Sequence, residues 1–116
     1  MGLMERGEIW WATLPRPRGS EPGFRRPFCL VQSDEVSRSR ISTVLAATVT
    51  TNLRLGAAPG NVIVHPEDSE LAEVSVINVS QLVTLNRDDL EIRVGQLPQG
   101  VMRLVDQGLR LILDLA

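Results

Sequence analysis

The chain has 116 residues, which is the size of one ordinary domain. Apolar residues make up 43% and charged residues 22%, a balance that excludes both a disordered tail and a membrane-spanning protein. Cys29 is the single cysteine and His65 the single histidine, so an internal disulfide and a structural zinc site are excluded. We therefore expect one domain over residues 1–116, located in the cytoplasm without a membrane anchor.

The charges are unusual in kind and in distribution. All 12 basic side chains are arginines, and lysine and tyrosine are absent. The side chains that remain available for catalysis are therefore mainly arginines, carboxylates and hydroxyls. The net charge is −2, but residues 1–54 hold eight arginines against five acidic residues, whereas residues 55–116 hold four against nine. A guanidinium binds phosphate through its charge and its planar set of N–H donors. The excess of arginine in the first half therefore indicates a local binding site for an anion. A genome rich in arginine codons explains the same bias without a site.

The first half of the chain predicts three strands. They are predicted over residues 8–14, 28–32 and 41–50, the last as a central strand rich in β-branched residues. Residues 15–23 contain three prolines and two glycines, which predicts an exposed loop. Residues 33–40 predict a polar connection with one helical turn capped by Ser33.

The second half predicts short strands and a terminal helix. The strands are predicted at residues 61–64, 74–79, 81–85 and 92–96, the middle two forming one strand or a bent pair. Pro98 suits the first helical position, and apolar residues recur at helical spacing up to Leu115. Such a broad apolar surface is expected to pack on the sheet and on a second subunit. Short strands followed by a helix predict a small, mostly antiparallel barrel or curled sheet.

Two segments are candidates for chemistry. Arg25 and Arg26 stand at the start of the second strand, where neighbouring side chains point to opposite faces and cannot both be aimed at one site. Residues 48–52 form a hydroxyl-rich strand end. A solvated arginine pair and the β-propensity of threonine explain each segment separately. Together they would place a guanidinium beside a hydroxyl, which suits phosphoryl chemistry.

Several motifs, taken in order, resemble the MazF/PemK toxins. The opening motifs are residues 6–11 (RGEIWW), 19–21 (GSE) and 26–32 (RPFCLVQ), and the resemblance continues through residues 50–52, 75–81, 94–95 and 105–109. It implies a mostly β fold with a C-terminal helix, a small SH3-like β-barrel of the CcdB/PemK type, in a homodimer. It also implies a sequence-specific, metal-independent endoribonuclease that cleaves single-stranded mRNA without a cofactor. A cognate MazE-like antitoxin would hold it inactive.

The resemblance also implies the catalytic residues. The family's catalytic arginine precedes the proline and corresponds to Arg26. Its catalytic threonine corresponds to Thr50, although Thr48 and Thr51 are close enough to leave the choice open. Glu21, on the predicted loop, is the candidate for accepting a proton or reading a base.

RNA-contacting residues follow in the same way. The family's Ser-Glu pair corresponds to Ser20 and Glu21, and its late glutamine to Gln81, whereas Ser80 stands where many relatives have a carboxylate. Phe24, at the base of the loop, is a candidate for stacking on a base. The expected RNA-binding residues are Ser20, Phe24, Arg25, Thr51, Asn52 and Gln81.

The implied reaction fits the composition. RNA supplies its own nucleophile, the ribose 2′-OH, so the protein needs only to position the phosphate, stabilise charge and manage two protons. Cleavage would leave a 2′,3′-cyclic phosphate and a 5′-hydroxyl. The alternative is a CcdB-like toxin that binds DNA gyrase without catalysis, which predicts an aromatic-containing C-terminal end. This sequence instead ends in Asp114-Leu115-Ala116.

Overall fold

Six strands and three helices form the part of the chain that the structure describes. The structure is a computed structural model that describes residues 4–14, 19 and 24–116. The strands are β1 (Glu8–Leu14), β2 (Phe24–Leu30), β3 (Thr43–Thr50), β4 (Val62–Val64), β5 (Ser75–Asn86) and β6 (Leu90–Gln96). The helices are α1 (Asp34–Ser37), α2 (Pro66–Ser69) and α3 (Gln99–Leu113), and 3₁₀ turns cover Leu53–Ala57 and Arg87–Asp89.

The strands form one curled antiparallel sheet. Their order is β4-β5-β3-β2-β1-β6, so β3 is central, as predicted, and β4 and β6 lie at the two edges. The sheet has the form of a half-barrel closed on one side by α3, which confirms the prediction of a small SH3-like β fold with a C-terminal helix. No helix in the described part of the chain combines the length and apolar character needed to cross a bilayer.

Each face of the sheet carries its own apolar cluster. Side chains alternate between faces along a strand, so Ala46 and Ala47 of β3 belong to different clusters. The first cluster lies under α3 and joins Met102 and Val105 of the helix to Ile9, Cys29, Ala47, Val49, Ile77 and Val79 of the strands. The second cluster lies on the opposite face and contains Ala12, Phe28, Leu30, Val44, Ala46 and Leu85. A polar site on that second face therefore does not compete with α3 for space.

Several boundaries differ from the sequence predictions; β3 begins at Thr43 rather than at residue 41, and β6 begins at Leu90 rather than at residue 92. β2 begins at Phe24 rather than at residue 28, because Pro27 lies inside the strand, opposite Trp11 of β1. β2 pairs with β3 only from Phe28 onward, so Pro27 occupies a stretch with a ladder on one side, where proline is tolerated. Residues 74–79 and 81–85, predicted as one strand or a bent pair, form the single strand β5. α3 begins one residue after Pro98, which is its N-cap rather than its first helical residue. The predicted loop at residues 15–23 lies, apart from Gly19, outside the described residues.

A buried carboxylate joins β1 to β6. Glu8 is 5% exposed, and its side chain accepts hydrogen bonds from Arg93 Nε at 2.8 Å and from Trp10 Nε1 and the Glu5 backbone N–H, both at 3.0 Å. Burial raises the pKa of Glu8, but the bonds from Arg93, Glu5 and Trp10 outweigh it and hold that pKa below its ordinary value. The ionised Glu8 side chain therefore links β1 to the outer strand β6 through Arg93.

Two glycines set how closely α3 approaches the sheet. Gly60, just before β4, has a φ of +82°, a conformation that favours glycine. A Cβ atom added to Gly108 of α3 would collide with the backbone carbonyl of Gly60. The contact is between two backbones, so a side chain cannot swing away to relieve it.

We expect Gly108→Ala to destabilise the protein by about 1–3 kcal/mol, because α3 must move away from the Gly60 loop. The matched control is Gly100→Ala in the same helix, where an added Cβ meets nothing within 4 Å. The control is expected to be neutral or to stabilise by up to about 1 kcal/mol. Urea unfolding monitored by circular dichroism measures both. Equal stability of the two variants would contradict the close contact.

Candidate functional site

The register between β2 and β3 brings one arginine and one threonine to the same level. Phe28 lies opposite Thr48 in this ladder. The ladder ends at this pair, and extending its register by two residues on each strand would place Arg26 level with Thr50. Residues two apart on a strand share a face, so Arg26 and Thr50 lie on the face of Phe28 and Thr48, away from α3.

Arg26 is half-buried at the edge of the second cluster. Its partner in the β1–β2 ladder is Ala12, which is fully buried in that cluster together with Phe28. The Arg26 side chain therefore lies next to buried apolar side chains. Because charge interactions are less screened beside apolar surface than in open water, a phosphate placed here would be held more strongly.

Arg25 lies on the opposite face and is engaged there. Its Nε donates to Glu91 at 2.8 Å, and its guanidinium carbon lies 4.6 Å from the centre of the Trp11 ring. Glu91 also accepts a hydrogen bond from the Thr13 hydroxyl at 3.0 Å. The two neighbouring arginines thus diverge as strand alternation predicts, and the structure does not bring Arg25 to the side of Arg26. Its expected RNA-binding role stays a prediction.

The three candidate threonines have different environments. Thr48 is 1% exposed, Thr50 is half-buried and Thr51 is exposed. Thr50 Oγ1 accepts a hydrogen bond from the Asn52 backbone N–H at 3.1 Å, which leaves its own hydrogen for donation. Asn52 in turn caps the Leu53–Ala57 turn through its side chain. Thr50 is therefore held at the strand end with a hydroxyl that can donate outward.

A bulge in β5 lies beside these threonines. Ala47 pairs with Leu82 and Thr48 pairs with Asn78, so residues 79–81 have no counterparts on β3. Gln81 is half-buried in this bulge, and the Thr48 hydroxyl lies 3.1 Å from its backbone carbonyl oxygen. The sequence predicts one strand or a bent pair here, but it does not predict this contact. The signal was the polar series at residues 78, 80 and 81, which interrupts an apolar strand.

Comparison with known proteins identifies the family. Residues 5–113 match the family described as the PemK-like, MazF-like toxin of type II toxin–antitoxin systems. The chain belongs to this family. It is 48% identical over 113 residues to the endoribonuclease MazF6 of Mycobacterium tuberculosis, covering 97% of the chain and 99% of the relative. The same figures hold for the endoribonuclease MazF2 of Mycobacterium bovis.

Solved structures of MazF toxins share the fold. MazF from Deinococcus radiodurans gives a TM-score of 0.80 at 19% identity, covering 99% of this chain and 100% of that one. An endoribonuclease from a mycobacterial species, solved in complex with its cognate antitoxin, gives 0.77 at 24% identity and covers 97% of both chains. Membership of the MazF/PemK family does not favour the alternative of a CcdB-like gyrase binder.

Of the RNA-contacting residues expected in and near the first loop, only some lie among the described residues. Ser20 and Glu21 are outside the described residues, so their expected roles stay predictions. Phe24, at the start of β2, is 58% exposed and has a φ of +60°, a conformation uncommon for residues with a side chain. Its ring is accessible for stacking, and Thr51 and Asn52 are exposed at the end of β3.

The described side chains offer no ready nucleophile near Arg26. Cys29 is fully buried, and burial raises the pKa of its thiol to about 12, which leaves almost no thiolate at neutral pH. His65 is exposed at the start of α2. Within residues 4–14, 19 and 24–116, no three His, Cys, Asp or Glu side chains form a group that could hold a metal ion. The groups brought together here are a guanidinium, hydroxyls and an amide.

Proposed function

We propose that this chain is the toxin of a type II toxin–antitoxin system and cleaves single-stranded mRNA in the cytoplasm, independently of metal ions. The whole chain, residues 1–116, would act as one toxin domain. The observation that carries the proposal is the pairing of Phe28 with Thr48, whose register, extended by two residues, puts Arg26 and Thr50 side by side on the face away from α3. The 48% identity to a mycobacterial endoribonuclease supports it.

The proposed reaction is an internal transfer of the phosphate. The ribose 2′-oxygen attacks the neighbouring phosphorus and loses its proton, while the bond to the 5′-oxygen breaks and that oxygen gains a proton. The products are a 2′,3′-cyclic phosphate and a 5′-hydroxyl. The nucleophile comes from the RNA, which agrees with a site that contains no reactive thiol or histidine among its described residues.

The proposed catalytic residues have different tasks. Arg26 binds the non-bridging phosphate oxygens and stabilises the negative charge that grows in the pentacoordinate transition state. We propose that Arg26 acts through its charge. Thr50 donates its hydroxyl hydrogen to the phosphate or relays a proton, since its oxygen already accepts from Asn52. Glu21 accepts the proton of the 2′-OH or reads a base.

The RNA would extend from this centre along the second face and the neighbouring loop. Phe24 offers an exposed ring for stacking on a base. The proposed contacts with the rest of the strand come from Ser20, Arg25, Thr51, Asn52 and Gln81. Arg25 acts at a distance from the cleaved bond, because Glu91 and Trp11 hold it on the other face.

We expect Arg26→Ala to reduce the cleavage rate by about 10²- to 10³-fold or more, since a group that stabilises the transition state is lost. Arg25→Ala should cost much less. Arg103→Ala, which removes an exposed positive charge on α3, controls for net charge. The assay uses a long unstructured RNA in EDTA, with 5′ ends identified by kinase labelling. Equal losses from Arg26→Ala and Arg25→Ala, or products with 5′-phosphates, would contradict the proposal.

We propose a homodimer from the apolar surface of α3. The helix has exposed Leu104 and Leu111, at 50% and 62%, in addition to the residues that it buries against the sheet. Both leucines line a groove of about 450 Å³ beside Ile63 of β4. Further exposed apolar residues follow at the end of the helix: Ile112, Leu113 and Leu115. A second copy would cover this surface, and the RNA groove would span both subunits.

The proposed partner that controls the toxin is a MazE-like antitoxin. A mycobacterial endoribonuclease of this fold has been solved with its cognate antitoxin. For this chain we propose a short, acidic segment that folds along the RNA groove. Its carboxylates or aromatic side chains would cover Arg26 and compete with RNA for the same positive charge.

Light scattering at micromolar concentration should give the mass of a dimer.

Binding of the antitoxin segment should weaken as salt rises and on substitution of Arg26 by alanine, because both changes weaken the attraction between opposite charges. Fluorescence anisotropy of labelled RNA, titrated with the antitoxin segment, measures the competition. A monomer would contradict the dimer, and an antitoxin that binds without releasing RNA would contradict the shared groove.

A further inference from the structure

The β5 bulge has backbone groups that leave the ladder, and side chains satisfy them. The Val79 backbone N–H donates to Asn61 Oδ1 at 2.9 Å, and the Ser80 N–H donates to Asn78 Oδ1 at 3.3 Å. The Gln81 carbonyl accepts from the Thr48 hydroxyl at 3.1 Å. Since each residue of the bulge is tied to a separate polar side chain, the bulge is a fixed feature of the sheet.

Thr48 also contacts the side chain of Gln81. Its Oγ1 lies 3.3 Å from Gln81 Oε1, so its single hydroxyl hydrogen is shared between the backbone and side-chain oxygens of one residue. A carboxamide is planar, and turning Oε1 toward Thr48 turns Nε2 away from it. The contact therefore favours one orientation of the amide, with Oε1 toward Thr48.

Thr48 itself is not available to RNA. It is 1% exposed, and its hydroxyl hydrogen is directed to Gln81. Thr50, two residues along on the same face, is half-buried and keeps its hydrogen for an outside acceptor. Any effect of Thr48 on cleavage must therefore pass through a neighbour, and Gln81 is the neighbour that it binds.

We propose that Thr48 is a positioning residue for RNA recognition, orienting Gln81 so that Nε2 donates to a base beside the cleaved bond. This inference rests on the proposed function. An amide that presents N–H donors favours uracil or guanine, which carry a carbonyl oxygen where cytosine or adenine carries an amine. The hydroxyl of Thr48 thus contributes to the choice of RNA sequence rather than to the chemical step.

The test compares Thr48→Val, which keeps the side-chain shape without the hydroxyl, with Thr48→Ser, which keeps the hydroxyl. A randomised RNA pool, sequenced at the cleaved ends, measures selectivity, and one cleaved oligonucleotide gives kcat and KM. We expect Thr48→Val to lower the preference for uracil or guanine at one position about three- to tenfold, which is the effect of one hydrogen bond. KM should rise more than kcat falls. Thr48→Ser should restore the preference.

Two controls separate positioning from general damage. Thr43→Val, at the far end of β3, removes a hydroxyl opposite Asn86 and should leave selectivity unchanged. In a Gln81→Ala background, Thr48→Val should cause no further loss of selectivity, because its effect passes through Gln81. Independent losses from Thr48→Val and Gln81→Ala would overturn the inference. So would a loss of kcat in Thr48→Val with selectivity intact, since Thr48 would then act in the chemistry.

A spectroscopic measurement distinguishes this inference from the proposed function. The side-chain amide signals of Gln81 in ¹⁵N–¹H spectra should move in Thr48→Val and stay in place in Thr48→Ser. Unmoved signals in a folded Thr48→Val protein would overturn the positioning role even if the wild type cleaves RNA. Failure of the wild type to cleave any RNA would overturn the proposed function, and the recognition role with it, whatever the spectra show.

Discussion

The antiparallel register between β2 and β3 is the constraint on which the site depends. Pairing of Phe28 with Thr48 fixes which residues lie level with each other, and strand alternation fixes which face they occupy. A slip of one residue would send Arg26 to the face that α3 covers. The two apolar clusters oppose such a slip, because it would move Phe28 into the cluster under α3 and exchange the side chains that each cluster packs. Packing of the core and placement of the guanidinium are thus one requirement.

In the proposed reaction the protein needs no nucleophile of its own, because RNA carries the attacking hydroxyl. A chain without lysine or tyrosine, with a buried cysteine, and with an exposed histidine just before α2 can still stabilise charge on a phosphate. Arginine does so with a charge that does not titrate near neutral pH. In the proposed reaction, the rate depends on how firmly β2 and β3 hold Arg26 and Thr50 in position.

The sequence predicted the parts of the fold that local patterns determine. β1, the central strand β3 and the turn capped by Ser33 follow from strand alternation and from capping chemistry, and the structure has all three. The start of β2 was missed, because tolerance of Pro27 depends on which strands pair beside it. The bulge at residues 79–81 and the Gly60–Gly108 contact also depend on distant partners.

The candidate site was predictable to a similar extent. Alternation alone separated Arg25 from Arg26, and the resemblance to the MazF/PemK toxins selected Arg26 and Thr50. The environments of the three threonines were not predictable, since burial of Thr48 beside Gln81 follows from the β3–β5 register. No local pattern distinguishes a threonine that donates inward from one that donates to a ligand.

Cleavage of an RNA with a single 2′-deoxynucleotide on the 5′ side of a bond that the wild type cuts tests the central claim most directly. The account predicts that cleavage at that bond stops, while a second, unmodified site in the same oligonucleotide is cut at the normal rate in EDTA. Cleavage at the deoxy position would contradict the account, because the protein or a water molecule would then have to supply the nucleophile.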